Sequence, residues 1–181
     1  MQIQLASIPA EKHAVYRFRY SVIVEEMGVM IPSADHAEKL IFDADDDRGH
    51  VFFATIDGNP VGTARINFVR DGEIVPHCEL LHLTQLPNSA AISASSRFLV
   101  TKKHRGSLLA IRIVQAVYRF WRQSGIEFDF ILVKPELVRL YQRIGYQLYG
   151  SVVQHPEIGA VVPLRLSTLV VASSILRTAN L

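Results

Sequence analysis

Between Gly106 and Ser124 the residues Leu109, Ile113, Ala116, Val117 and Phe120 recur at the spacing of one helix face. Gly125 follows, where a helix readily stops on a left-handed residue. Strand-like segments bracket this helix, Arg97 to Val100 before it and Phe128 to Val133 after it. A helix with one apolar stripe must bury that stripe against another layer. Strands leading into and out of helices predict a mixed α/β fold, with a central β-sheet flanked by helices.

The rest of the chain supports this reading. Gln2 to Ile8 alternates polar and apolar residues and predicts a strand stopped by Pro9. From Ala10 to about Met27, Ala14, Val15, Phe18, Val22 and Ile23 predict a helix ending near Gly28. Residues 29 to 50 predict mainly a long loop, acidic at its end. Val51 to Ile56 and Val61 to Val69 predict a hairpin turning on Asp57-Gly58-Asn59-Pro60. Residues 71 to 94 lack clear periodicity, and Leu80 to Leu86 fits a short helix or a cleft wall. Glu136 to Ile144 predicts a short helix ended by Gly145. Tyr146 to Gly150 and Val161 to Leu169 predict the last strands, with a further short helix in the tail. No internal repeat or linker divides the chain, so residues 1 to 181 are expected to form a single domain.

Composition removes several function classes. Hydrophobic residues make up 49% of the chain and charged residues 20%, a composition that folds. The formal net charge of +2 gives no global field for nucleic acid, and no aromatic-basic stripe suggests such a partner. Cys78 is the one cysteine, so neither an intrachain disulfide nor a thiolate metal cluster can form. No histidine pair has the spacing of a helical zinc site, and neighbours such as His77, Cys78 and Glu79 would face opposite ways on a strand. No metal is expected. The N-terminus lacks the pattern of an export signal, and the apolar stretch Ile158 to Ile175 is interrupted by Pro163 and Arg165. The expectation is a cytoplasmic protein with no membrane span. There is no Walker lysine motif, Gly-x-Gly-x-x-Gly fingerprint or Gly-x-Ser-x-Gly elbow.

Three groups of residues carry candidate chemistry. Lys102, Lys103, His104 and Arg105 follow the short strand, and Gly106-Ser107 opens the long helix. Unbonded amides at a helix start, with cations beside them, suit a pyrophosphate or phosphopantetheine; an ordinary solvated cap has the same composition. Tyr141 lies one helical turn before Gly145, and a phenol there can protonate a departing thiolate, or simply pack on the sheet. Arg17, Arg19, Glu25, Glu26 and Asp43 to Asp47 form the third group, in which the carboxylates can orient an amine or accept its proton and the arginines can clamp a carboxylate. Arg65 and Arg97 interrupt strands that otherwise read as buried. A buried arginine requires a partner, and the acidic cluster supplies candidates.

Ser96-Arg97-Phe98-Leu99-Val100, His104-Arg105-Gly106-Ser107-Leu108-Leu109-Ala110 and Leu140-Tyr141-Gln142-Arg143-Ile144-Gly145-Tyr146-Gln147 resemble the GCN5-related N-acyltransferase (GNAT) superfamily. Tyr16 to Gly28, Phe42 to Asp47, His50 and Val61 to Ile66 resemble its long-chain N-acyl amino acid synthase and acyl-homoserine-lactone (autoinducer) synthase branch. The resemblance covers roughly residues 10 to 150. It implies the GNAT fold and direct acyl transfer from a thioester, carried by acyl carrier protein or coenzyme A, to the amine of an amino acid or related small molecule. The donor is a co-substrate, and no permanently bound cofactor is implied. Phe98, Leu99 and Val100 would line the thioester, and Lys102, Lys103, His104, Arg105, Gly106, Ser107, Leu108, Leu109 and Ala110 would hold its phosphate end. Arg105 and Ala110 fit the family's pyrophosphate pattern, whereas Leu108 stands where that pattern has glycine. Tyr141 matches the general acid. Glu26, Asp43 or Asp45 would take the amine's proton, and arginines matching Arg17, Arg65 and Arg97 would organise the site. Ala94 stands where the lactone synthases tend to have glutamate, and the indole often found after the first helix is absent, so the resemblance favours an amino acid over S-adenosylmethionine as acceptor. The alternatives are a short-chain acetyl-CoA-dependent acetyltransferase and a non-catalytic module that binds an acyl carrier or ligand.

Overall fold

Pro9 does not merely end the first strand; it begins the first helix. Its missing N–H costs nothing at the first helical position, and the Glu11 carboxylate reaches back to accept from the Ser7 amide at 2.7 Å and the Ile8 amide at 3.3 Å. In this computed structural model, which describes residues 1–69, 80, 81, 83 and 91–169, the chain falls into two units. One comprises Met1–Ile66 with Arg97–Val117, the other Asn67–Ser96 with Tyr118–Leu181.

The first unit opens with β1 (Gln2–Leu5) and α1 (Pro9–Tyr20), which continues as a π-helical turn over Ser21–Glu26. Gly28 follows with φ +68°, as the expected stop requires. After a looped stretch come the one-turn α2 (Asp45–Arg48), β2 (His50–Ile56) and the beginning of β3 (Asn59–Phe68). β1 pairs antiparallel with β2, and β2 with β3. Asp57 (φ 51°) and Gly58 (φ 78°) form the two-residue left-handed turn whose twist suits a hairpin. β3 is buried from Val61 to Asn67, on both faces, which is why a charge at Arg65 needs partners inside the fold. The amide of Thr101 donates to Val61 at 3.1 Å, holding the end of β4 (Ile92–Val100) beside β3. Tyr20, Ile23, Ile31 and Ile41 form a buried cluster, against which Leu99 packs.

In the second unit the beginning of β4 runs parallel to β5 (Phe128–Val133), Ile92 opposite Phe128 and Ala94 opposite Phe130. β5 pairs antiparallel with β8 (Gly159–Ser167), which also carries β6 (Gln147–Leu148) and β7 (Val153–His155). α4 (Val138–Ile144) follows a 3-10 turn at Pro135–Leu137. Its end is closed by Gly145 (φ 116°), with Gly145 N–H on the Gln142 carbonyl and Tyr146 N–H on the Tyr141 carbonyl. The core here is Val69, Leu81, Leu83, Ile92, Ala94 and Phe130. α3 (Leu108–Gln123) contributes residues to both units.

The mixed α/β class and the principal helices agree with the sequence. Several bounds differ. β1 stops at Leu5, because Glu11 draws the Ser7 and Ile8 amides into the helix cap. β4 begins at Ile92, five residues before the expected Arg97, because Ser93 and Ser95 are polar residues facing a buried acid and hide the strand's apolar pattern. β7 was not expected. The buried face of α3 includes Gln115, Tyr118 and Trp121, with Ala116 and Phe120 only half-buried. The region around Cys78, most of 80 to 86, and the tail beyond 169 lie outside the described residues. No described helix is long and apolar enough to cross a membrane.

Candidate active site

Three arginines and three aspartates, all in the first unit, meet in one network. Arg65 Nη1 pairs with Asp43 Oδ1 and lies 3.1 Å from Asp46 Oδ2, while its Nη2 lies 3.3 Å from Asp45 Oδ2. Arg97 Nη2 donates to the other Asp43 oxygen at 2.8 Å. Arg19, fully buried, donates through Nη1 to both oxygens of Asp46 at 2.8 Å. α2 makes this arrangement possible. Its single turn presents Asp45 and Asp46 inward, while Asp46 Oδ2 accepts from the Asp43 amide at 3.0 Å and Asp43 Oδ1 from the Asp45 amide at 3.1 Å. The acidic segment is thus held by its own backbone amides as well as by the arginines.

The three carboxylates differ chemically. Burial would raise Asp43, but Arg65 and Arg97 outweigh it and hold the acid at about 2. Burial raises Asp45 to about 6; Arg65 offsets part of that, while Asp43 and Asp46 add to it. Asp46 is the counter-ion of Arg19, whose own pKa burial lowers despite that partner. The network therefore contains one firmly ionised acid and one that titrates close to neutrality.

Arg97 is also a backbone feature. Its φ of 52° is left-handed inside a strand, a conformation costing on the order of 1–3 kcal/mol and found mainly where surrounding structure enforces it. The ion pair with Asp43 is one such constraint. Phe98 and Leu99, half-buried, and Val100, buried, follow this kink.

A cationic turn then leads into α3. A 3-10 turn covers Lys102–His104. Thr101 Oγ1 and His104 Nδ1 are 2.9 Å apart, and Ser107 Oγ donates to the His104 carbonyl at 2.6 Å. The same Ser107 oxygen accepts from the Leu109 amide at 3.2 Å, making Ser107 the cap of α3. Gly106 has φ +74°, with open space where a Cβ would stand. Lys102 and Lys103 are exposed; Leu108 is 49% exposed, Leu109 is buried and Ala110 half-buried. Arg105 is folded back, its Nε on the Val100 carbonyl at 3.2 Å and its Nη2 on Glu26.

The structure separates several residues that sequence alone grouped. Glu26 belongs to the cationic turn, not to the acidic network: its Oε2 accepts from the Lys102 amide at 2.9 Å while Oε1 holds Arg105. Arg19, and not the exposed Arg17, enters the network. Both arginines are candidates in the sequence, and helix geometry decides between them: Arg19 lies four residues after buried Val15 and three before buried Val22, on the helix face turned inward.

Tyr141 lies in the second unit. It is half-buried, its ring edge-on to Tyr146 at 5.6 Å, and burial together with Asp129 pushes its phenol up to about 12. Ala94 sits in the apolar core of that unit. Among the described residues no group of His, Cys, Asp or Glu is placed to hold a metal.

The family described as N-acyl amino acid synthase FeeM matches residues 14–167 of the chain. No curated protein matches it. Among solved structures, FeeM, an N-acyl amino acid synthase from uncultured soil microbes, superposes with a TM-score of 0.75 at 13% identity, over 93% of this chain and 91% of that one. The acyl-homoserine-lactone synthase LasI gives 0.72 at 21% identity, over 92% and 88%. BjaI, a CoA-dependent acyl-homoserine lactone synthase with S-adenosylmethionine and isopentyl-CoA, gives 0.69 at 19%, over 92% and 78%. These likenesses establish the acyltransferase fold.

Proposed function

The chain belongs to the N-acyl amino acid synthase FeeM family, and from this premise we propose that it transfers an acyl group from acyl carrier protein or acyl-CoA to the amine of an amino acid. It is an N-acyltransferase, and the family match spans parts of both units, which supports reading residues 1 to 181 as one acyltransferase domain. The observation that carries the substrate reading is the pairing of Asp43 with Arg97 at the kink of β4, followed directly by the capped cationic turn.

In this proposal the thioester lies along Phe98 to Val100. An amide near Leu99 polarises its carbonyl and stabilises the charge that develops on the oxygen. The phosphate end of the donor meets Lys102, Lys103, His104 and the start of α3 at Gly106, Ser107, Leu108 and Ala110, where cations and the helix dipole favour an anion, while the Leu109 amide is taken by the Ser107 cap. Glu26 braces that turn through Lys102 and Arg105.

An amine attacks only when neutral. Asp45 is the preferred proton acceptor, because an acid at about 6 is matched to neutral pH, whereas Asp43 at about 2 is too weak a base. Asp43 instead anchors Arg65 and Arg97. By its match to the family pattern Tyr141 is assigned the general acid's role, for which a phenol kept protonated by its surroundings is suited. Positioning of two substrates supplies much of the rate. Ala94 within an apolar core offers no carboxylate where the lactone synthases tend to have one, which favours an amino acid as acceptor.

The test is product mass spectrometry after incubation with mixed acyl thioesters and mixed amino acids. N-acyl amino acids longer than acetyl are expected, and exclusive acetylation from coenzyme A would overturn the long-chain reading. Donor choice is decided by salt. Activity with acyl carrier protein should fall more steeply with ionic strength than activity with acyl-CoA, because the protein surface presents more charge.

A further inference from the structure

Asp129 interrupts the apolar run of β5 and is fully buried. Burying a carboxylate is costly unless its lone pairs are filled. Three hydroxyls fill them. Ser93 Oγ donates to Oδ1 at 2.6 Å and Ser95 Oγ to the same oxygen at 2.8 Å, both from β4. Tyr146 OH donates to Oδ2 at 2.6 Å, from the segment after α4. The facing position on β8 is Leu166; the charged residue of that strand, Arg165, is in register with Phe130 and lies over the Phe128 and Tyr149 rings. No cation is paired with Asp129 among the described residues.

Tyr146 is held at both ends. Its hydroxyl is fixed by Asp129, and its amide donates to the Tyr141 carbonyl at 3.1 Å. Its ring meets Tyr141 edge-on, at 85°. The backbone turn and the ring together fix where Tyr141 stands. We infer that Asp129, acting through Tyr146, is a positioning residue for Tyr141, the phenol assigned the leaving-group proton. This inference rests on the acyl-transfer reading above. The Asp129 charge has a second effect, since it opposes a nearby phenolate and so keeps Tyr141 an acid.

The test compares Asp129→Asn and Tyr146→Phe with the wild type, each confirmed folded by thermal unfolding. Asn removes the charge but keeps an oxygen that can accept from Tyr146, whereas Phe keeps the ring but removes the tie. Tyr146→Phe should lose kcat by roughly 10- to 100-fold, the scale of a misplaced catalytic group, with both KM values unchanged. In Asp129→Asn the alkaline limb of kcat should move to lower pH. Tyrosine-ring carbon-13 NMR should show Tyr141 titrating below its wild-type value, a readout that needs no turnover. Tyr146→Phe carries the kinetic test and Asp129→Asn the titration. Unchanged kcat in folded Tyr146→Phe, while Tyr141→Phe is inactive, overturns the inference. An unmoved Tyr141 titration in Asp129→Asn does so too. A wild-type protein that makes no amide overturns the acyl-transfer reading instead, and the NMR titration still decides whether Asp129 acts on Tyr141.

Discussion

Arg97 and Asp43, 54 positions apart, meet through a 2.8 Å hydrogen bond at the one residue of β4 whose backbone is left-handed. The bond ties the acidic segment before α2 to the strand proposed to carry the thioester. Arg97→Ala should reduce kcat/KM by roughly 100-fold, about the loss of one well-placed electrostatic contact, and Arg97→Lys should restore little, because a point charge cannot reproduce the guanidinium geometry. Steady-state kinetics with an acyl thioester and an amino acid checks this.

The Arg19–Asp46 pair bears on stability. Both side chains are essentially without solvent contact. Asp46→Ala removes the carboxylate from the buried Arg19 guanidinium and one of three from Arg65, which keeps Asp43 and Asp45. A loss of about 3–5 kcal/mol is expected in a denaturant titration, far more than for breaking the exposed Lys39–Glu25 pair.

Gly49 holds the network from behind. A Cβ there would stand 2.6 Å from the Asp45 carbonyl and 3.0 Å from Arg65 Cγ. Gly49→Ala must therefore move backbone or Arg65. It should cost about 1–3 kcal/mol by overpacking and lower kcat without touching either substrate.

Glu26 should act on donor binding and not on chemistry. Glu26→Ala frees Arg105 and the Lys102 amide, loosening the cationic turn. The expected result is a several-fold rise in donor KM, with kcat and acceptor KM nearly unchanged. A collapse of kcat alone would restore Glu26 as the proton acceptor.

Asp129 makes stability depend on pH. Burial raises its pKa from 3.8 to about 7, with Ser93, Tyr146 and Ser95 pulling the other way. An acid raised in the folded state binds its proton more tightly there. Its contribution is complete below the unfolded pKa and is lost as pH rises through about 7. Thermal unfolding should show the wild type losing more stability between pH 4 and 7 than Asp129→Asn, by on the order of a few kcal/mol.

The sequence by itself determined the class of fold and the family. The amphipathic stripe of α3, the Asp57-Gly58 turn and the glycines closing helices are local signals, set by backbone sterics and by periodicities that neighbours in the chain share. Arg65 and Arg97 were legible because a charge within an apolar strand demands a partner, and the demand is visible without knowing the partner. Tertiary structure decided the rest. It chose Arg19 over Arg17, drew Glu26 away from the acids, and gave Asp43 and Asp45, two residues apart, opposite proton affinities. It also brought Ser93, Ser95 and Tyr146 around Asp129. Proton affinity and pairing depend on distance and solvent access in three dimensions, and residues 36 or 54 positions apart in sequence acquire a common dielectric only once the chain has folded.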